Sequence, residues 1–364
     1  MQPSGAAFPL ATPGQERLLA ATPSSPAAPT PERVPENALN TLASLVQDDL
    51  EACNQTIVAR MESPVALIPA LAAHIVAAGG KRLRPLLTLA SARLCGYGAK
   101  PGETRHVRLA ACVEFIHTAT LLHDDVVDES ALRRGLASAN AVFGNKASVL
   151  VGDFLFARAF QLMVEDGSLA ILAILSRAAA TIAEGEVLQL ITQNDLATDE
   201  ARYLDVIRGK TAALFAAACQ VGAVVAGRDQ SVETALMQFG LDLGIAFQLV
   251  DDALDYAADQ AQLGKTVGDD FREGKTTLPV LLAYHAGDAE ERRFWERTIA
   301  ESEQTPEDLP QAIALIERHR AIETTLARAG RFAASAQSAL AGFPPSPLRD
   351  ALLDAADYTL HRAR

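Results

Sequence analysis

Cysteine is scarce, and the four that occur in these 364 residues, Cys53, Cys95, Cys112 and Cys219, form no C-x-x-C pair. That spacing excludes a zinc ribbon, a redox dithiol and a disulfide framework, and reads the four as small buried hydrophobes in a reducing compartment. Positive charge is short as well. A formal net charge of -13 would repel a phosphate backbone, so nucleic acid is excluded as a partner and an anionic substrate must be held locally. The longest apolar run, residues 211–226, is interrupted by Gln220 and falls short of the roughly 20 residues that span a bilayer, so no transmembrane segment is expected. Strand-like alternation does not recur at regular spacing.

What remains favours helix. Ala, Leu, Glu, Gln and Arg dominate, with 49% hydrophobic and 21% charged residues. The expectation is an all-α fold, a single large helical bundle of ten or more helices in residues 37–364. Residues 1–36 carry eight of the 18 prolines among Ala, Ser and Thr, a composition that predicts a disordered tail. This stretch lacks the basic start and apolar centre of a secretory signal, and with only Arg17 and Arg33 it makes a poor transit peptide. A tail or a misplaced start codon is expected, and a cytoplasmic location.

One carboxylate motif occurs twice. Asp124, Asp125 and Asp128 stand in H-D-D-V-V-D after an apolar stretch, and Asp251, Asp252 and Asp255 stand in D-D-A-L-D after another. Helical spacing puts Asp124 and Asp128 on one face, and likewise Asp251 and Asp255. Carboxylates framed by apolar residues would be costly without a cation between them. Hard oxygen ligands without His or Cys select Mg²⁺ or Mn²⁺ over zinc. A solvated acidic face is the plain reading of a single such motif; two copies, each preceded by about ten mainly apolar residues, reverse it.

Basic residues accompany the acids. Lys81, Arg82 and Arg84 follow Gly79-Gly80, and Arg133-Arg134 follows the first acidic cluster. Each suits a diphosphate, although a basic helix end explains either one alone. Gly-Lys-Thr occurs at residues 209–211, 264–266 and 274–276, but Leu204, Asp259 and Asp269 stand where a P-loop needs glycine, so only isolated lysine donors remain. Glu114 and His117 form one E-x-x-H, half of a di-iron signature whose second copy is absent. His117 lies two turns before Asp124 and so on its face; a cavity-lining histidine and a hydrogen-bonded buried one both fit.

In order along the chain stand G-G-K-R-L-R-P, F-I-H-T-A-T-L-L-H-D-D-V-V-D-E-S-x-x-R-R-G, G-K-T, F-Q-L-V-D-D-A-L-D-Y and G-K-T-V-G-D-D-x-x-E-G-K-T-T-L-P. From about residue 45 onward the sequence resembles the trans-isoprenyl diphosphate synthases. Within them it looks most like bacterial octaprenyl diphosphate synthases, with solanesyl and decaprenyl synthases nearly as similar. The resemblance implies a bundle around a central cavity, a homodimer, and a prenyltransferase that joins isopentenyl diphosphate to an allylic diphosphate. It implies Asp124, Asp128 and Asp251 as Mg²⁺ ligands, with Asp125, Asp252 and Asp255 in support. Lys81, Arg84, His117 and Arg134 match the isopentenyl diphosphate site. Arg133, Lys210, Thr211, Gln248 and Lys265 match the allylic site. The released diphosphate, rather than a side chain, would take the proton.

Ala119 and Thr120 occupy the family's chain-length positions, where farnesyl synthases tend to carry aromatics. A long product is therefore expected, and Ala119→Phe should shorten it; simple helix packing is the alternative for Ala119. A terpene cyclase would read N-D-x-x-S-x-x-x-E at the second site, and a non-catalytic subunit tends to lose aspartates or the G-G-K-R-x-R-P stretch; neither departure occurs. Transient membrane contact for release of so apolar a product stays open, with no basic amphipathic helix to anchor the chain.

Overall fold

Helices make up nearly all of what the computed structural model describes, namely residues 38–77, 80–100, 102–133, 136–257 and 267–361. The expected N-terminal tail and the predicted site residues Arg134 and Lys265 lie outside the described residues. In chain order the first helices are α1 (Ala38–Leu45), α2 (Gln47–Arg60), α3 (Leu67–Ala77), α4 (Leu83–Leu94) and α5 (Arg105–Val127). A two-residue hairpin, β1 (Leu132–Arg133) with β2 (Leu136–Ala137), precedes α6 (Ala139–Phe143), α7 (Asn145–Asp166) and α8 (Leu169–Thr192). Next come α9 (Glu200–Ile207), a π turn over Arg208–Ala212, α10 (Ala213–Val225) and α11 (Gln230–Leu254). The chain continues through α12 (Asp269–Arg272), α13 (Leu278–Ala286), α14 (Ala289–Trp295), a π turn over Glu296–Ala300, α15 (Asp308–Arg318), α16 (Ala321–Ala339) and α17 (Pro347–His361).

Two long helices bring the site together. α5 buries residues on almost every side, as a helix without a polar face must, and packs between α4 and α7. α11 is started by Asp229, whose carboxylate accepts from the Ser231 and Val232 amides, and lies between α10 and α16. The main core joins α4, α5, α7, α10 and part of α11, with Phe115, Phe215 and Phe239 fully buried. A second core around Tyr256, Phe271 and Trp295 sits below the end of α11.

Among the described residues one helix, α7, is long and apolar enough to cross a membrane by length and composition, a helix distinct from the 211–226 run. Its Val151, Leu155, Ala159 and Leu162 are packed into the main core. Its opposite side leaves Leu150, Phe160 and Val164 exposed, and α8 adds exposed Leu169, Val187 and Ile191.

Candidate active site at two helix ends

Both aspartate motifs close a helix. Asp128 is the C-cap of α5 and Asp255 the C-cap of α11, and each donates its backbone N–H to the carbonyl of the motif's first aspartate, at 2.8 and 3.1 Å. Helix C-termini carry partial negative charge, so six carboxylates stand where the backbone already disfavours anions. That arrangement calls for cations.

The first motif finds them within the chain. Arg133 of the hairpin grips buried Asp125 with Nε and Nη2, at distances from 2.5 to 3.0 Å. The Asn140 amide donates to the Asp125 carbonyl at 2.9 Å, which ties the hairpin's far side to the same turn. Lys210 lies 3.8 Å from Asp124 and 2.7 Å from Glu186. Lys275 lies 3.2 Å from Asp128 and also pairs with Glu273. Burial pushes the Asp124 carboxyl up, Lys210 pulls it down, and the neighbouring Asp128 pushes it up again. Burial likewise opposes the charge on Lys275, but Asp270, Asp128 and Glu273 outweigh it and hold that ammonium well above its usual range.

The second motif is held mainly by neutral donors. Asp252 is buried and accepts from the Tyr203 hydroxyl at 2.6 Å and from the Gln248 amide at 2.7 Å. Thr211 donates to Gln248 at 2.8 Å, completing a chain from the π turn to Asp252. Asp255 accepts the Asp270 backbone N–H at 3.0 Å. Desolvation first, and the charge of Asp270 second, push Asp252 up to about 7 and Asp255 up to about 8. Asp270 is itself pushed up to about 6 by burial, with Lys275 opposing.

Backbone proximity sets the two lysines. At the α8 crossing, a Cβ on Gly185 would meet the Lys210 backbone nitrogen at 2.4 Å, so only glycine lets the π turn come this close. Lys210 thereby reaches both Glu186 and Gln189, the latter at 2.7 Å. Lys275 is fixed from the end of α8. Gln193 donates to the Glu273 carbonyl at 2.5 Å, the Asn194 backbone N–H to Gly274 at 3.0 Å, and Thr276 to the Thr192 carbonyl at 3.1 Å. Asn194 adopts a left-handed conformation, φ 61°, as asparagine tolerates better than most residues. A cavity of about 100 Å³ lies among Gln189, Lys210, Thr211, Gln248, Asp252 and Lys275.

The other predicted seat is separate. Arg84 lies 3.0 Å from His117 Nε2, with its guanidinium 4.6 Å from the centre of the Phe215 ring. Lys81 donates to the Tyr358 hydroxyl of α17 at 3.0 Å and lies over that ring. Glu114 turns to Arg82, and His117 to Arg84, so the E-x-x-H pair does not act as one metal-binding unit. Ala119 is fully buried in the main core, while Thr120 is half-buried and donates to the His117 carbonyl at 2.7 Å.

Sequence reasoning placed Asp124, Asp128, Lys210, Thr211, Gln248 and Asp252 in one neighbourhood, and the structure brings them together. It gave Lys275 only as an isolated lysine donor and assigned no role to Glu186, Gln189, Tyr203 or Asp270. The third Gly-Lys-Thr and the G-D-D stretch were the available signals for Lys275 and Asp270; the others are single polar residues with no local pattern.

A divalent cation fits the donor chemistry here. Among the described residues no three carboxylates surround one point closely enough to hold an ion alone. Mg²⁺ typically takes one or two carboxylates and completes its shell with water and phosphate oxygens, which suits paired aspartates at a cleft. Burial first, and the neighbouring Asp270 second, push Asp252 and Asp255 up.

Comparison with known proteins agrees with this geometry. A family model described as polyprenyl synthetase matches residues 65–316. The octaprenyl diphosphate synthase of Escherichia coli (strain K12) is 47% identical over 326 residues, covering 90% of this chain and 99% of that one. A polyprenyl synthase from Caulobacter crescentus CB15, crystallised with calcium and isoprenyl diphosphate, is 53% identical with a TM-score of 0.85, over 90% of this chain and 98% of that one. A decaprenyl diphosphate synthase from Rhodobacter capsulatus gives 52% and 0.85, over 90% and 99%. With such similarity running through both aspartate motifs and nearly the whole length of each relative, the chain belongs to the polyprenyl synthetase family and is a prenyltransferase.

Proposed function

We propose that the chain is a long-chain trans-polyprenyl diphosphate synthase that condenses isopentenyl diphosphate onto an allylic diphosphate, with farnesyl diphosphate as the expected primer. The product proposed is octaprenyl diphosphate for a quinone side chain. The observation that carries the reading is two clusters of cationic side chains: Lys210 and Lys275 beside Asp124 and Asp128, and Arg84 beside His117. The E. coli relative supports eight isoprene units, and the Rhodobacter structure keeps a longer chain as the alternative.

Asp124, Asp128 and Asp251 would hold Mg²⁺, for which Mn²⁺ can substitute, and the calcium in the Caulobacter protein's crystal supports a divalent ion. When bound, the ion supplies electrostatic stabilisation to the departing diphosphate as the allylic C–O bond breaks. Arg133, Lys210, Thr211, Gln248 and Lys265 would position the allylic diphosphate. Lys210 is already aimed at Asp124, close to where phosphate oxygens would stand. Lys81, Arg84, His117 and Arg134 would hold isopentenyl diphosphate so that its double bond attacks the allylic cation, and the released diphosphate would take the proton. Asp125 acts from below by fixing Arg133, and Asp252 by fixing Gln248. Ala119 and Thr120 would leave the product path open. Because Ala119 is fully buried, Ala119→Phe has to displace neighbours as well as block that path.

A homodimer is part of the reading. Exposed Leu150, Phe160 and Val164 on α7 and Leu169, Val187 and Ile191 on α8 recur at helical spacing, forming an apolar face suited to a second copy. Light scattering on the full chain reads the mass directly.

The testing experiment incubates the purified chain with farnesyl diphosphate, labelled isopentenyl diphosphate and Mg²⁺, then sizes the dephosphorylated alcohols. A ladder ending near C40 is expected, and one ending near C45 or C50 would select the longer-chain alternative. No elongation, with chelated metal as the control, would sink the reading.

A further inference from the structure

Two residues three apart on α5 meet two residues two apart before and within α4. Glu114 pairs with Arg82, and His117 meets Arg84. Arg82 precedes the first residue of α4 as its N-cap and has φ 47°, a left-handed conformation that an arginine adopts only when its surroundings require it. Its guanidinium is turned inward: the Arg82 side chain is 20% exposed and the Glu114 side chain 9%. Arg82 therefore does not extend into solvent with Lys81, although the sequence places three cations within four residues.

We propose that the Glu114–Arg82 ion pair is a positioning clamp for the isopentenyl diphosphate seat. It holds the left-handed turn before α4, so that Lys81 and Arg84, on either side of Arg82, converge with His117 on one diphosphate. Glu114 and Arg82 are positioning residues and touch neither substrate. The pair also gives the isolated E-x-x-H a use: one turn of α5 presents an anion that fixes the loop and an imidazole that meets the loop's arginine. The inference rests on the assignment of Lys81, Arg84 and His117 to isopentenyl diphosphate made above.

The test compares wild type with Glu114→Gln, which keeps the shape and loses the charge, and Arg82→Gly, which accepts φ 47° without strain and loses the pair. KM for each diphosphate, kcat and the melting temperature are measured, and isopentenyl diphosphate binding is followed by calorimetry. KM for isopentenyl diphosphate should rise about tenfold or more in both variants, with KM for the allylic substrate within about twofold of wild type. A pair that merely braces the bundle would lower the melting temperature with both KM values unchanged, or raise the two together; either result overturns the proposal. If Glu114→Gln binds isopentenyl diphosphate as wild type does, the clamp is likewise refuted. Failure of the wild-type chain to bind isopentenyl diphosphate would overturn the underlying function as well, which separates the two failures.

Discussion

The two aspartate motifs have the same sequence pattern and the same place at a helix C-terminus, yet they are kept in opposite ways. Around the first, Arg133, Lys210 and Lys275 each pair with one of its three carboxylates. Around the second, Asp252 rests on a phenol and an amide, Asp255 on a backbone N–H, and both are pushed up to about 7 and 8. The first end is therefore balanced by cationic side chains of the protein itself. The second retains acidic charge that a proton or a metal ion has to meet.

The largest expected effect breaks the first end. Asp128→Asn should lower kcat on the order of 10³-fold at saturating Mg²⁺, equivalent to the several kcal/mol a metal clamp contributes, with little change in fold stability. Steady-state kinetics over a Mg²⁺ titration would show it, and a rate restored by more metal would place Asp128 outside the first set of ligands. Next is Lys275→Met, which removes the shared cation from Asp128, Glu273 and Asp270. A loss of about 3 kcal/mol is expected from stranded buried charge, read by denaturant titration, with a rate loss of about 10². An unchanged melting curve would mean that these carboxylates do not depend on it.

A smaller effect is expected at the second end. Asp252→Asn imitates a protonated acid and keeps oxygen contact with Tyr203, so stability at pH 8 should rise while the rate falls by less than about tenfold. A large loss of stability would contradict the upward push that burial gives Asp252. The smallest effect concerns Glu186, which burial raises from 4.5 to about 7 against the pull of Lys210. Between those values the folded chain keeps a proton that the unfolded chain has lost, so this contribution to stability is full below about pH 4.5 and fades as pH rises through about 7. The metal-free protein should therefore melt lower at pH 8 than at pH 5, and Glu186→Gln should flatten that slope. The same slope in variant and wild type would show that Glu186 does not carry it.

Much of this was legible from residue spacing. The paired aspartates, the basic runs and the helical class each rest on local patterns, and the structure brings Asp124, Asp128, Lys210 and Lys275 to one region while Arg84 meets His117. What remained hidden depends on distance along the chain. Tyr203 reaches Asp252 across 49 positions, and Arg82 reaches Glu114 across 32. A single polar residue such as Glu186 or Gln189 on a long helix gives no signal until its neighbour across the cleft is known. Several boundaries, such as Leu45–Gln47 and Trp295–Glu296, lack the glycine or proline that marks the others and so leave no local signal. The pairing of Leu132–Arg133 with Leu136–Ala137 joins two short extended stretches that no alternation announces.

The π turn at Arg208–Ala212 closes with the Ala213 amide donating to Arg208, five positions back. From Glu200 to Val225 the chain is then one rod containing a single extra residue. Above the insertion Tyr203 faces Asp252, and below it Leu214 and Phe215 face the core, so neither half has to rotate to accommodate it. A one-residue slip in an otherwise regular helix is how Lys210 and Thr211 leave the core-facing row and enter the cleft. Deleting one residue there would restore an ordinary helix at the expense of that placement, turning everything downstream by about 100° and sending α10 to the core with the wrong side inward.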